Sequence, residues 1–478
     1  MTRLAFLLPM ILAQDLLEQY EQKWLMAPQN AKGQYDLGKW CEQHRLKEQA
    51  MQAYERSIEI DPEFEPARKA LGHKKVLGRW TSEKNYADSS WWAHPKVDQK
   101  RVDEAIVKGC RYLLGQLNSL SSFKCGHHKD SRYDELALLT LLEAGWDRRD
   151  GGLQALLQRV LSLPVDRTYH VALRAMSLAS LDPLRYQQHL AQCAQFLVDN
   201  QCPNGQWSYG EPVPSLPSPG TYPTTGKGPI PDISTGIAEP AVGKKGAAAP
   251  KQIEIKKGRS AGPGQGDNSN SQYASLGIRA CLSGLVVVPK ETIALAEEWW
   301  EKKQMADGGW GYDNSDGWMA GSSWGSMTAG AVGGLAIYKY YRHRVWGDDV
   351  DWKNASTIAK GAAWMGKNLR FPENPGYGSW HLYWVYAVER AGRLLETERF
   401  GSQEWYPKGA AVLLDSQQPD GSWKPETWSG LPKDSFIPGN ISETCFAILF
   451  LRRATPRLDE TIKIQSGDRK IVPNAAPK

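Results

Sequence analysis

The stretch Gln304-Met305-Ala306-Asp307-Gly308-Gly309-Trp310 recurs in outline twice more, as Gln201-Cys202-Pro203-Asn204-Gly205-Gln206-Trp207 and as Gln417-Gln418-Pro419-Asp420-Gly421-Ser422-Trp423. A fourth, degenerate version reads Asn374-Pro375-Gly376-Tyr377-Gly378-Ser379-Trp380. Each of the three full copies follows an apolar helical run: Phe196-Leu197, Trp299-Trp300 and Val412-Leu413-Leu414. The glycine permits a left-handed backbone turn where the helix stops. The glutamine can bond neighbouring backbone, and the tryptophan can stack over it and bury a large ring. One copy would say little; three copies at helix ends define a repeating unit.

Outward from these loops the pattern is helix after helix, from about Val97 to Arg453. Val102, Ile106, Cys110 and Leu113-Leu114 recur at helical spacing. So do Leu136, Leu139 and Leu142; Val171, Leu173, Met176 and Leu178; and Phe446, Ile448, Leu449 and Leu451. No convincing run of alternating strand residues stands among them, and the β-branched run Leu285 to Val288 falls between a helix and Pro289. The fold class expected is all-α.

The three motifs resemble the QW repeats of squalene and hopene cyclases, with looser versions in protein prenyltransferases. The resemblance covers roughly residues 97–455. It implies an α/α toroid, five or six helical hairpins closed into a double ring, with the helices between the motifs on the inside. In that family the motifs are structural, so they are not taken as catalytic here. The catalytic features of the family do not carry over. Class II terpene cyclases protonate their substrate from an Asp-x-Asp-Asp motif, whose acid must be kept protonated by its neighbours. The nearest text is Asp348-Asp349-Val350-Asp351, in the wrong order and in a polar link, which reads as a surface loop. Prenyltransferases hold zinc with Asp, Cys and a later His; Glu443-Thr444-Cys445 has no histidine after it. Cys125-Gly126-His127-His128 offers a thiolate and imidazoles, but adjacent histidines seldom reach one ion and no second cluster completes the set. No metal and no cofactor are expected. There is no glycine-rich phosphate loop, and Gly321-Ser322-Ser323-Trp324-Gly325 lacks the preceding strand of a hydrolase elbow.

In such a toroid the inner helices run parallel, so their N-termini gather at one mouth. Their expected starts are polar: Asp134-Glu135; Thr168-Tyr169-His170; Asp267 to Tyr273; Ser326-Met327-Thr328; His381 and Tyr383; Ser442-Glu443-Thr444. Converging helix dipoles favour anionic or oxygen-rich ligands there. N-capping accounts for much of this polarity, but less well for residues that follow the cap. The candidate mouth residues are Tyr169, His170, Asn268, Asn270, Gln272, Tyr273, Thr328, His381, Tyr383 and Glu443. No catalytic residue is assigned.

The chain before the toroid reads differently. Residues 1–13 carry Arg3 and an apolar run from Leu4 to Ala13, interrupted by Pro9, which suggests a short secretory signal and an exported protein. Residues 14–80 contain a tetratricopeptide-like segment from Ala31: Leu37-Gly38, Cys41, Ala50, Tyr54, Ser57 and Pro62 fall at that motif's positions, and Leu71-Gly72 repeats Leu37-Gly38 at the motif's period. The third helix breaks at Gly78-Arg79-Trp80, so a cap or docking module is expected, with peptide binding as the family implication. Residues 211–266 hold ten prolines and ten glycines and read as a disordered insertion; residues 456–478 read as a loose tail.

Charge adds little. The formal net charge is +5, and the seven Lys/Arg against four Asp/Glu between Glu211 and Gly266 supply +3 of it. No basic face argues for nucleic acid. Seven irregularly spaced cysteines, mostly in apolar helical patterns, read as small buried hydrophobes rather than a disulfide framework. The function expected is a ligand- or protein-binding scaffold with an unknown ligand in the central cavity and a protein partner for the repeat segment. The alternatives are an enzyme acting on isoprenoids through a non-standard site and a carbohydrate-active enzyme.

Overall fold

A computed structural model describes residues 16, 19, 20, 22–24, 26–61, 63–76, 79–81, 96–120, 132–224, 252–312, 321–424 and 440–458. The expected signal, residues 1–13, and the Cys125 to His128 group lie outside them. The chain divides into two compact units, residues 1–91 with 239–245, and residues 92–238 with 246–478.

In the first unit, α1 (Ala31–Gln43) and α2 (Lys47–Ile60) pack as an antiparallel pair, followed by α3 (Glu65–Ala70) and a short antiparallel hairpin, β1 (Lys74–Val76) with β2 (Arg79–Thr81). Asn30 caps α1 by accepting from the Gly33 amide at 2.8 Å. Leu37, Cys41, Ala50, Ala53, Tyr54 and Ala67 form the core. Gly38 is where the helices meet most closely, since a Cβ there would lie 2.4 Å from the Tyr54 ring. Ser57 donates to the Ala31 carbonyl at 2.7 Å across the same pair.

The second unit is a double ring. Its helices alternate outer and inner along the chain: α4 (Gln99–Gly115), α5 (Asp134–Glu143), α6 (Gly151–Ser162), α7 (Thr168–Leu181), α8 (Gln187–Asp199), α9 (Asn268–Ser283), α10 (Lys290–Lys302), α11 (Gly325–Tyr341), α12 (Ser356–Asn368), α13 (His381–Leu394), α14 (Trp405–Ser416) and α15 (Ile441–Arg452). The odd-numbered helices from α5 onward pack each on the next, and α15 returns to α5. The even-numbered helices lie against them as the outer layer. Composition explains the sorting. An outer helix such as α4 buries one stripe, Val102, Ala105, Ile106, Gly109, Cys110 and Leu113, as an amphipathic helix does. Every residue of α9 and of α11 is buried, as expected for helices with neighbours on all sides. Small residues allow that crowding: a Cβ on Gly277 of α9 would sit 2.9 Å from the Ala172 Cα of α7.

The repeated motifs are clamps between successive outer helices. Gln201 Nε2 donates to the carbonyls of Gly205, in its own loop, and Thr292, at the start of α10. Gln304 does the same to Gly308 and Thr357, at 2.9 and 2.8 Å. Gln417 reaches Gly421 and Ala105, at 3.0 and 2.8 Å, and thereby joins the last outer helix to the first. The tryptophan indoles donate back to the preceding helix, at Leu197, Trp300 and Leu413. Each tryptophan amide donates to a hydroxyl on the next inner helix: Ser271, Thr328 and Thr444. In the fourth version the tryptophan is displaced. Trp380 is 59% exposed with φ 62°, and Trp384, one turn later, is the buried indole, donating to Arg370.

The only strands in this unit are two-residue pairs among the described residues. Val286–Val287 pairs in parallel with Ile253–Glu254. The ends of the expected disordered insertion are therefore seated. Asp199 accepts from the Gly258 and Arg259 amides, and Asn200 exchanges bonds with the Glu211 backbone. Residues 225–251 lie outside the described residues. The start of the expected loose tail is likewise held: Arg279 donates to the Pro456 and Arg457 carbonyls, and Leu458 is buried. Hydrogen-bond demand is the physical reason, because a buried arginine or carboxylate recruits whatever backbone lies near it. The six cysteines among the described residues are buried and free.

Candidate functional site

The first turns of three inner helices, α7, α9 and α13, meet. Tyr169, at the start of α7, makes a short hydroxyl contact with Ser269 of α9, and its hydroxyl lies 3.2 Å from that of Tyr383 of α13. The Tyr169 and Tyr273 rings sit 4.5 Å apart, and Tyr273 stacks near Tyr383 at 6.1 Å. Phe446 of α15 meets Tyr383 edge-on at 5.7 Å and Tyr386 face-on at 5.8 Å. Four inner helices thus contribute to one aromatic and hydroxyl cluster. Tyr169 remains partly exposed, with the more open Tyr209 beside it. Burial, then the neighbouring tyrosines and Asp267, hold the Tyr169 phenol well above its ordinary pKa, so these hydroxyls stay neutral.

Beneath this cluster lies Arg390 of α13, which is almost fully buried. Its guanidinium carbon is 4.3 Å from the Tyr386 ring centre, 5.1 Å from Tyr273 and 5.9 Å from Tyr383. It donates to Gln272 Oε1 at 2.7 Å and, more loosely, to the Tyr273 hydroxyl at 3.4 Å. The adjacent Glu389 turns to a different partner. Its carboxylate accepts from the Thr455 amide at 2.9 Å and the Thr455 hydroxyl at 2.7 Å. Burial pushes its pKa up to about 7 against those two donors.

Of the expected mouth residues, Tyr169, Gln272, Tyr273 and Tyr383 belong to this site. Others have structural partners instead. Asn268 donates to the Gly311 carbonyl and accepts from Gln206 and Trp299. Asn270 bonds Asp267, the N-cap of α9. Thr328 serves the Trp310 clamp. His170 pairs with Asp166 at 3.4 Å, within a network of Arg132, Glu135 and Arg174 between α5 and α7. Burial opposes ionisation of Asp166, but His170 and Arg132 outweigh it and lower its pKa. His381 is kept neutral by burial, with a pKa of about 4. Glu443 is buried at the start of α15. Asn268, Asn270 and Thr328 depart for one reason: polar groups in the first turn of a buried helix are taken up by its cap and by neighbouring loops before they can face a ligand.

The sequence shows Ser269 only within the polar start of α9 and Phe446 only as an apolar helical position, and it singles out neither Tyr386 nor Arg390. Arg390 stands in Glu389-Arg390-Ala391-Gly392-Arg393, which reads as an ordinary charged helix face. The flanking Tyr383 and Tyr386, at helical spacing from it, were the one available signal. The acidic link is settled as structure. Asp348 pairs with Arg342 at 2.8 Å, and Asp351 accepts from the Lys353 and Asn354 amides. Among the described residues no group of three or more His, Cys, Asp or Glu could hold a metal ion, and no helix is long and apolar enough to cross a membrane.

No family model matches the chain. Among solved structures, the chain is similar to a variant of the type II terpene cyclase MstE from Scytonema in complex with geranylgeranyl dihydroxybenzoate, at 13% identity and TM-score 0.42, over 74% of this chain and 97% of that one. It is also similar to the apo form of MstE, at 14% identity and TM-score 0.39, over 75% of this chain and 99% of that one. The α/α toroid stands on its own closed circuit of inner-helix contacts.

Proposed function

We propose that this protein is a non-catalytic binding scaffold whose ligand seats at the N-terminal mouth of the ring, over Tyr169, Ser269, Tyr273 and Tyr383. The observation that carries the reading is the meeting of hydroxyls and ring faces from three separate inner helices at one partly open point. Aromatic rings with phenolic tips give a ligand apolar area and directed hydrogen bonds together.

The same geometry weighs against isoprenoid cyclisation. In such chemistry ring faces would have to stabilise a carbocation, and here the faces of Tyr273, Tyr383 and Tyr386 already meet the Arg390 guanidinium. The acids near the ring are also engaged: Glu389 by Thr455, and Asp166 by His170 and Arg132. Export, and a peptide partner for the first unit, belong to the same proposal; the separate core of that unit supports a docking role.

Native mass spectrometry of the full chain purified from its own host tests the reading. A small molecule should accompany the wild type and be lost from Tyr169→Ala and Tyr383→Ala, with helical circular dichroism intact. An empty wild-type spectrum, or turnover of a prenyl or polysaccharide substrate, would overturn it.

A further inference from the structure

Arg390 is a buried cation short of a counter-ion. Among the described residues no carboxylate is placed within ion-pair distance of it; its polar partners are a neutral amide and a neutral phenol. Its nearest acid in sequence, Glu389, is turned to Thr455. Three tyrosine faces offset part of the charge. Ring faces supply no acceptor for the guanidinium's five donors, and a buried charge is costly unless paired and hydrogen-bonded.

A second, independent observation lies beside it. The Gln272 amide offers its oxygen to Arg390, yet its Nε2 is buried without a hydrogen-bond partner. The amide lies close against α11, since a methyl group on Gly330 would place a Cβ 2.5 Å from Oε1 and 2.9 Å from Nε2. Swapping the amide's two ends is no remedy, because it would point NH2 at the guanidinium. A buried orphan donor beside a buried unpaired cation is a donor set awaiting an acceptor.

We propose that Arg390 and Gln272, walled by Tyr273 and Tyr386, form an anion site inside the ring that takes the carboxylate of a ligand. One guanidinium neutralises one negative charge, so a monoanion leaves the interior neutral whereas a dianionic phosphate would not. The aromatic walls suit the apolar body of a carboxylic acid. The site lies below Tyr169 and Tyr383, so the inference deepens the reading above and rests on it only for the route of entry.

The test is thermal unfolding of the full chain at pH 7 with benzoate as probe, and with chloride and inorganic phosphate at matched ionic strength. Benzoate should raise the Tm in a concentration-dependent way, as a ligand that prefers the folded state must. Arg390→Met should abolish that response. Gln272→Glu should raise the Tm without probe, by supplying the counter-ion internally, and should also abolish the response; it keeps the test open if Arg390→Met fails to fold. A benzoate effect no larger than that of chloride, or a response that survives Gln272→Glu, would overturn the site. A larger effect of phosphate would overturn its assignment to carboxylates. Benzoate can bind even if no molecule co-purifies, so this test and the one above fail separately.

Discussion

At the scale of single residues, the glycine of each clamp is fixed twice over. Gly205 has φ 92°, a region that L side chains rarely adopt. A Cβ there would also lie 2.2 Å from the Leu295 carbonyl oxygen of α10. Gly378, in the degenerate version, has a similar φ of 86° but open space around its Cβ position. The two positions therefore separate backbone strain from steric overlap. Gly378→Ala should cost about 1–2 kcal/mol, the strain alone. Gly205→Ala adds the displacement of an outer helix and should cost more than about 3 kcal/mol. Urea unfolding of both variants checks this. Equal losses would mean that the close approach to α10 is relieved at no cost and that the clamp is looser than its geometry.

At the scale of elements, the contact between α13 and the segment after α15 carries its own pH signature. Glu389 has an ordinary pKa of 4.5 and is pushed up to about 7 by burial in the folded chain. A raised carboxyl means that the folded state holds its proton where the unfolded state has lost it. The contribution is fully present below about pH 4.5 and is lost as pH rises through about 7, by up to about 3 kcal/mol. Glu389→Gln keeps a neutral group of the same shape against Thr455. The stability difference, variant minus wild type, should therefore grow between pH 4.5 and 8. A difference flat across that range would show that the Thr455 donors hold Glu389 as a carboxylate throughout. Elements were also the level at which the sequence was most legible. All six inner helices start at or within one residue of the polar groups that announced them, from Asp134 to Ile441, although only α9 is capped by a side chain, that of Asp267; elsewhere first-turn hydroxyls such as Thr168, Thr328 and Thr444 bond neighbouring loops. The site was half legible. Tyr169, Tyr273 and Tyr383 follow the caps and could be anticipated. Arg390 could not, because its meaning comes from Gln272 and Tyr273 on α9, more than a hundred positions away. Asn268 and Thr328 show the converse: they look like ligand groups but bond the neighbouring tryptophan loops at Gln206, Gly311 and Trp310.

At the scale of the whole molecule, the outer layer closes through a contact whose partner no local pattern announces. The Gln304 clamp links α10 to α12 along the chain, whereas the Gln417 clamp reaches back from the end of α14 to Ala105 on α4. It is reinforced there by Gly421, whose Cβ would lie 2.5 Å from the Lys108 carbonyl, and by the Arg101–Asp415 pair at 2.7 Å. The exposed ion pair contributes little, so the glutamine is the principal polar tie. The two clamps share the same chemistry and differ in the length of chain they close. Gln417→Ala removes two side-chain hydrogen bonds, about 1–3 kcal/mol of local stability. That loss should fall on α4, whose hold on its neighbours comes mainly from the seam with α14 and α15. Amide hydrogen exchange should then quicken about tenfold or more across Gln99–Gly115, with α12 unchanged, since local opening follows the stability of the element that opens. Gln304→Ala should do the reverse, quickening Ser356–Asn368 and sparing α4. If both variants quicken exchange evenly around the ring, the toroid opens as one cooperative body, and the clamps are interchangeable rather than one of them holding the seam.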